Sequence, residues 1–390
     1  MKEKIAIITI KDFYKEINNL KKTRELIFNS LIKNKKPSKK QIHLLNSHLR
    51  QLKSIKKENN NFVLISDHIN LSLKLTYEIS EIEKDIVFLE KGEKALLKYL
   101  RKIHRNFKKQ NYKLKNYLKN QKIDFFITDR DGTINNYCET YLSSVQSIYN
   151  AFFLYKFSEK IQKSIILTSG SINDFEKVNI LSKGNFIFAG SKAKEFKFLN
   201  GIIHRFKIPK NEKQIIDCLA KSIKKLLAKK NYKIFKFIGS GFQKKYGEIT
   251  VARQDIFNSI PQKQSIEFLF EIKKIVKDLD PNKKFLEIND TKLDIEIILK
   301  SNLKTFDKGK GLEFLLDKSR IFLSNVLVSG DTISDLPILK SSKNLSKKVY
   351  CIFVTQNKKL KAEVKKIHKN SIFVSSPDIL IISLYQLSKI

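Results

Sequence analysis

At 390 residues the chain can hold two or three domains with separate cores, and its 42 % hydrophobic and 11 % aromatic content excludes a disordered chain. Three widely spaced cysteines, Cys138, Cys218 and Cys351, argue against a disulfide framework or a zinc-ligand set. The formal charge of +38 invites a nucleic-acid reading, but lysine is spread over almost every segment and arginine is scarce, so a general solubilising surface is the simpler account and a nucleic-acid partner is not expected.

Met1 to Ile10 has too short an apolar core for a signal peptide, and no apolar run approaches the length of a membrane span. A soluble, cytoplasmic protein with no membrane partner is therefore expected. Residues 1–121 carry no catalytic signature. After Pro37-Ser38, the apolar positions Ile42, Leu45, Leu49, Leu52 and Ile55 recur like one helix face. Ile79, Ile82, Ile86, Leu89, Leu96, Leu100, Ile103 and Phe107 continue at the same period, and Asn59-Asn60-Asn61 marks a turn between the two runs. A helical hairpin or three-helix bundle is predicted, serving either as an arm for docking or oligomerisation or as a packing extension of the catalytic domain.

From Ile123 the pattern changes to short apolar strands alternating with helices, the mark of a doubly wound, parallel-sheet α/β core of Rossmann-like type. The run Ile123–Thr128 ends in Asp129-Arg130-Asp131-Gly132-Thr133. Residues i and i+2 of a strand share a face, so both carboxylates can address one phosphoryl group with Mg²⁺. Gly132 lets the chain leave the strand, and the Thr133 hydroxyl can hold a phosphate oxygen. Three further pieces come in order: the strand Ser164–Leu167 ending in Thr168-Ser169-Gly170; Asp307-Lys308-Gly309-Lys310-Gly311, opening an amphipathic helix; and the strand Val326–Val328 running into Ser329-Gly330-Asp331 and on to Asp335. Acid pairs, a hydroxyl and a lysine at strand and helix ends are the parts that phosphoryl transfer to a carboxylate needs. Between the second and third pieces lies an insert, 202–302, reading helix (210–230), strand (234–239), strand (248–253), helix (262–279), strand (285–289), strand (294–299). Two tandem α-β-β units would make an α+β cap over the strand ends. The predicted division is therefore 1–121, a core of 122–201 with 303–390, and the cap.

These four segments resemble the motifs of the haloacid dehalogenase-like phosphatases over residues 122–390. Asp307–Leu316 is similar to the DKGKAxEFLL stretch of trehalose-6-phosphate phosphatases, Ala189–Glu195 to that family's GSHGAE segment, and Val374–Leu380 to its closing strand-to-helix step. The resemblance implies Asp129 as nucleophile, Asp131 as general acid and base, Ser169 (or its neighbour Thr168) on the phosphoryl group and Lys308 as its neutralising cation. It also implies Mg²⁺ held by Asp129, the Asp131 carbonyl and Asp331, with Asp335 as ligand or support, and a phosphorylated sugar as substrate. Thr133, Gly170, Ser191, Lys192, Glu195 and Arg253 are candidate substrate contacts, with Lys244 and Lys245 as further cap-side charges.

Some positions depart from the family pattern. Ser171 stands where arginine is usual, Lys192 replaces a histidine, and Glu248–Arg253 lacks the His-Tyr-Arg ending. The Gly330–Asp335 segment looks more like a sucrose-phosphatase or general sugar-phosphatase form. Trehalose 6-phosphate is the leading substrate. Another phosphosugar, such as a sucrose-phosphate-like or glycosyl-phosphoglycerate compound, is the alternative within enzymes. A basic nucleic-acid or anionic-surface binder with an inactive phosphatase domain is the alternative outside them.

Overall fold

A computed structural model describes residues 7–58, 61–66, 69–300 and 306–389. Two capping boxes open it: Thr9 with Asp12 starts α1 (Ile10–Leu31), and Ser38 with Gln41 starts α2 (Lys39–Lys53). Between α2 and the next helix lies a feature that the helical period concealed, a small antiparallel sheet of β1 (Lys57–Glu58), β2 (Asn61–Ser66) and β3 (Ile69–Leu73). Its signal is the alternation in β3, where Leu71 and Leu73 are buried and Ser72 between them is half-buried. Asn59 and Asn60 of the expected turn lie outside the described residues, and Asn61 already belongs to β2. The long helical run is α3 (Thr76–Ile103), broken at Gly92 where φ is +76°, followed by a separate α4 (Phe107–Leu118).

The core continues with β4 (Phe125–Thr128), α5 (Ile148–Ser158), β5 (Lys163–Leu167), α6 (Ile172–Val178), β6 (Phe186–Gly190), β7 (Glu195–Phe198) and β8 (Ile203–Arg205). The chain then enters the cap: α7 (Lys210–Leu226), β9 (Phe242–Lys245), β10 (Glu248–Ala252), α8 (Gln262–Leu279), β11 (Leu286–Asp290) and β12 (Asp294–Leu299). It returns through α9 (Lys308–Ser319), β13 (Leu323–Gly330), α10 (Leu336–Leu345), β14 (Ser346–Val354), α11 (Lys358–Ile367), β15 (Ile372–Val374) and α12 (Pro377–Leu387).

The core sheet has the order β15-β14-β13-β4-β5-β6-β7-β8, parallel from β15 to β6 and antiparallel at the β7–β8 edge. One face packs Ile127, Ile165 and Val328 against α9, α10 and α11; the other packs Phe126 and Ile166 against α5 and α12, with α1–α4 outside them. The cap sheet is antiparallel, in the order β11-β12-β10-β9. Its first strand is not at 234–239. Residues Lys230–Lys236 form a 3₁₀ stretch that seats Phe235 flat on Phe268 of α8, with ring centroids 4.0 Å apart, and the strand forms only after the Gly239-Ser240-Gly241 turn. An apolar run that plugs the space beneath a sheet has the same composition as a strand within it.

The N-terminal module is fastened to the core by buried polar groups rather than hung from it. Arg24 of α1 reaches Asp85 (2.9 Å) and the Val145 carbonyl (2.8 Å). Asp85 in turn accepts the amides of Ile148 (2.7 Å) and Tyr149 (3.1 Å), capping α5. Glu78 accepts from the Ser143 hydroxyl at 2.5 Å and faces Cys138, Glu139 and Tyr14. Burial pushes the Glu78 carboxyl up to about 7, against the bonds from Ser143 and Cys138. A carboxyl with a folded pKa above its unfolded 4.5 holds its proton better in the native state, so its stabilising contribution is full below that value and disappears as pH rises through 7. Glu78→Gln, which mimics the protonated form, should therefore gain about 2–3 kcal/mol relative to wild type between pH 5 and pH 8. Urea melts at the two pH values check this; parallel stability profiles would show that Glu78 does not titrate in this range.

Candidate active site

The carboxyl ends of β4, β5 and β13 meet beside the first turn of α9, so the four sequence segments converge at one end of the sheet. Asp129 leaves β4 with its amide still bonded to the Ser329 carbonyl (3.1 Å), which carries the β4–β13 pairing up to the acid itself. Lys308 is the first residue of α9, whose N-cap Asp307 accepts the amides of Gly309 and Lys310, each at 2.9 Å. That start aims the Lys308 ammonium inward, 2.6 Å from Asp129 Oδ1 and 2.6 Å from Asp335 Oδ1. The other Asp335 oxygen accepts the amides of Asp331 (3.0 Å) and Thr332 (2.9 Å), so this fully buried acid locks the loop that presents Asp331.

Asp331 accepts from the Thr133 hydroxyl at 3.0 Å, so Thr133 is committed to an acid rather than free for a phosphate oxygen. Gly132 permits this approach: its φ is +81°, and a Cβ there would lie 2.2 Å from Asp331 Oδ2. Oxygens of Asp129, Asp331 and Asp335 all lie within 4.8 Å of one another. Three carboxylates thus face one ammonium. Burial, with Asp335 next in weight, pushes Asp331 up to about 7, and burial raises Asp129 well above the usual range despite Lys308. Burial alone would lower Lys308, but Asp129 and Asp335 hold it above its ordinary value. An all-oxygen cluster with uncompensated negative charge fits a hard divalent cation.

Asp131 points toward a cavity of about 250 Å³ between core and cap, shared with Tyr141, Gln243, Gln254 and Asp294. Arg130, the middle residue of the motif, is buried and ion-paired with Asp131, and it is anchored on the Ser144 hydroxyl (3.0 Å) and carbonyl (2.5 Å). At the end of β5 the Thr168 hydroxyl accepts the Gly170 amide (3.2 Å) and is buried, whereas Ser169 is partly exposed, with no hydrogen bond to its hydroxyl among the described residues. Gly170 sits against Tyr141, whose hydroxyl would be 2.8 Å from an added Cβ.

The segment Ser191-Lys192-Ala193 is left-handed at three successive non-glycine residues, with φ of 54°, 61° and 62°. Gly311 packs beneath it: a Cβ there would lie 1.9 Å from the Lys192 carbonyl oxygen, which explains the small residue in α9. The turn brings the Ser191 hydroxyl to Glu195 (3.0 Å) and to the Tyr246 amide of the cap (2.9 Å). Glu195 also accepts the Ile172 amide (3.2 Å) and lies 3.5 Å from Arg205, so it is held at the core–cap joint, in a crevice separate from the Asp131 cavity. Lys192 is 3.7 Å from Glu248, which also binds Lys245 at 2.6 Å. Arg253 is held within the cap by Asp290 (3.3 Å) and the Lys292 carbonyl (3.2 Å), and Lys244 by Asp217 (2.5 Å). Sequence reasoning passed over Arg130 although it lies inside the motif, and over Tyr141 and Asp294, which carry no local signal.

Two family models match the chain. The one described as trehalose-6-phosphate phosphatase, C-terminal, covers residues 126–380, and the one described as the trehalose-6-phosphate phosphatase N-terminal helical bundle domain covers 9–108. The chain belongs to the trehalose-6-phosphate phosphatase family. It is 37 % identical over 281 residues to an alpha,alpha-trehalose-phosphate synthase [UDP-forming] 2 of Caenorhabditis elegans, covering 67 % of this chain and 22 % of that protein. A trehalose-phosphatase of Caenorhabditis briggsae is 26 % identical over 96 % of both chains. The chain spans a quarter or less of the first curated relatives that it matches, at 22 %, 24 % and 21 % of their lengths. A solved structure of the C. albicans trehalose-6-phosphate phosphatase C-terminal domain is 16 % identical, covering 72 % of this chain and 97 % of that one with a TM-score of 0.48. Among the described residues of this family member, no helix is long and apolar enough to cross a membrane.

Proposed function

We propose that the chain is a Mg²⁺-dependent sugar phosphatase that hydrolyses trehalose 6-phosphate to trehalose and phosphate through an aspartyl-phosphate. The observation that supports this reading best is the joining of Asp129, Lys308, Asp331 and Asp335 at one point on the ends of the sheet. Asp129 attacks phosphorus with one carboxylate oxygen while the bond to the sugar oxygen breaks, and Asp131 at the cavity mouth gives that oxygen its proton. Asp131 then takes a proton from water, which attacks the aspartyl-phosphate and frees Asp129. Lys308 and the Ser169 hydroxyl balance charge on the transferring oxygens. Asp129, Asp331 and the Asp131 carbonyl would hold Mg²⁺, with Asp335 fixing the loop; bound there, the metal supplies neutralisation of phosphate charge. The protein's positive field favours an anionic substrate, and the expected setting is the cytoplasm.

The test is phosphate release from a panel of phosphosugars by chelator-stripped protein, with and without added Mg²⁺. Release from trehalose 6-phosphate that returns with Mg²⁺ is expected. Faster release from another phosphosugar would replace the substrate, and no release from any compound with any divalent metal would overturn the reading.

A further inference from the structure

We infer that the N-terminal module supplies one wall of the leaving-group cavity, and that Ser72 at its rim sets how large a leaving group fits. The inference rests on the phosphatase reading, because it takes the cavity beside Asp131 as the place where the leaving group sits. Ser72 and Leu73, the last residues of β3, line that same cavity together with Asp131 from the core and Gln243 and Asp294 from the cap. Three parts of the chain therefore meet around one space.

Three observations make this wall part of the site rather than an accidental neighbour. First, the module touches the cap at this rim: the Ser72 amide donates to the Ser259 hydroxyl (3.3 Å), and the Tyr14 hydroxyl donates to the Phe237 carbonyl (3.0 Å). Second, the helix after β3 reaches the catalytic loop. Tyr77 donates to the Asn135 side chain at 3.1 Å, and the Asn135 carbonyl accepts the Gly132 amide at 2.8 Å, one residue past Asp131. Third, the wall cannot drift. Buried Asp85, Arg24 and Lys84 tie the module to α5 and α12. The module's side of the cavity is therefore held on the same frame as Asp131. Ser72 lies between buried Leu71 and Leu73 and remains half-exposed, and its hydroxyl has no partner among the described residues. A small polar side chain at that place leaves room for a polyhydroxylated leaving group; a large one would fill it.

The experiment compares the 390-residue chain with its Ser72→Phe, Ser72→Leu and Ser72→Ala variants on two substrates. One is the phosphodisaccharide that the wild type hydrolyses best, and the other is p-nitrophenyl phosphate, with a single ring. Ser72→Phe should lose at least tenfold in kcat/KM on the disaccharide, mostly through KM, and stay within threefold on the small ester. Ser72→Leu should show a smaller bias in the same direction and carries the test if the larger side chain prevents folding. Ser72→Ala, which removes the hydroxyl without filling the space, should keep the ratio of the two activities within threefold of wild type, and a shift of that ratio as large as the one in Ser72→Phe would overturn the size argument. Equal losses on the two substrates, or no loss on the disaccharide in either enlarged variant, would overturn the inference while leaving the phosphatase reading intact. A wild type that releases phosphate from neither compound would overturn that reading, and this inference with it.

Discussion

Asp129→Asn should abolish turnover while the protein stays folded. The amide has the shape of the carboxylate and can still accept from Lys308, which now lies 2.6 Å from Asp129 Oδ1. It cannot serve as a nucleophile, because its oxygen lacks the negative charge of a carboxylate and its nitrogen lone pair is delocalised into the carbonyl. A kcat lower by about a thousandfold or more is expected, equal to ~4 kcal/mol on the barrier. The fold should not suffer. Asp129 is crowded by Asp335, Asp331 and Asp131, and Lys308 balances only part of that charge. Removing one buried like charge should leave the unfolding midpoint of metal-stripped protein unchanged or higher, the reverse of what a structural acid would show. Single-turnover phosphate release beside a thermal melt reads both quantities. Turnover within tenfold of wild type would remove Asp129 from the nucleophile's place, and a collapsed melt would make the acid a structural one.

The parts of this site that could be read from sequence are those whose geometry is local. A strand followed by Asp-x-Asp-Gly-Thr fixes two carboxylates and an exit turn within a few residues, and Asp307-Lys308-Gly309 fixes a helix start and its cation in the same way. Glu195 was not legible in this way. Its attachment to Ser191 and the Ile172 amide depends on a left-handed turn made by three residues that rarely adopt it. Arg253 has the right charge just past the end of β10, but the neighbouring hairpin places Asp290 where it captures the guanidinium. The β2–β3 hairpin falls between the two runs read at helical period, in a stretch given only a turn, and its contribution to the cavity depends on tertiary packing that no spacing encodes. The cap strand expected at 234–239 failed for the complementary reason, since Phe235 is apolar because it plugs a core and not because it lies in a sheet.

Lys84→Met should cost about 3–5 kcal/mol of folding stability, because it leaves buried carboxylates without their cation. Lys84 sits between Asp378, 3.2 Å from both its oxygens, and Glu81, with side-chain exposures of 2 %, 1 % and 2 %. Burial alone would lower its pKa, but Asp378 and then Glu81 hold it above its ordinary value. Asp378 also receives the Tyr149 hydroxyl, the Asn136 amide (2.8 Å) and His104 (2.6 Å), so a single carboxylate joins α3, α5 and α12. Burial would raise Asp378, but Lys84 and then His104 hold it well below its usual value. This acid's stabilising contribution is therefore present at neutral pH and is lost only as pH falls below about 4. Methionine fills the space of the lysine stem, so the loss reports charge rather than a cavity. The exposed pair Lys53–Glu83, at 2.6 Å, gives the control: Lys53→Met should cost under about 1 kcal/mol, since water screens that pair. Adding Asp378→Asn to Lys84→Met should recover part of the loss, by removing the carboxylate left unpaired. Denaturant midpoints that place the two single variants together would show that the module is held by its apolar contacts alone. A large gap between them, with activity on the disaccharide phosphate falling as the module loosens, would show that the same buried charges hold both the fold and the wall of its cavity.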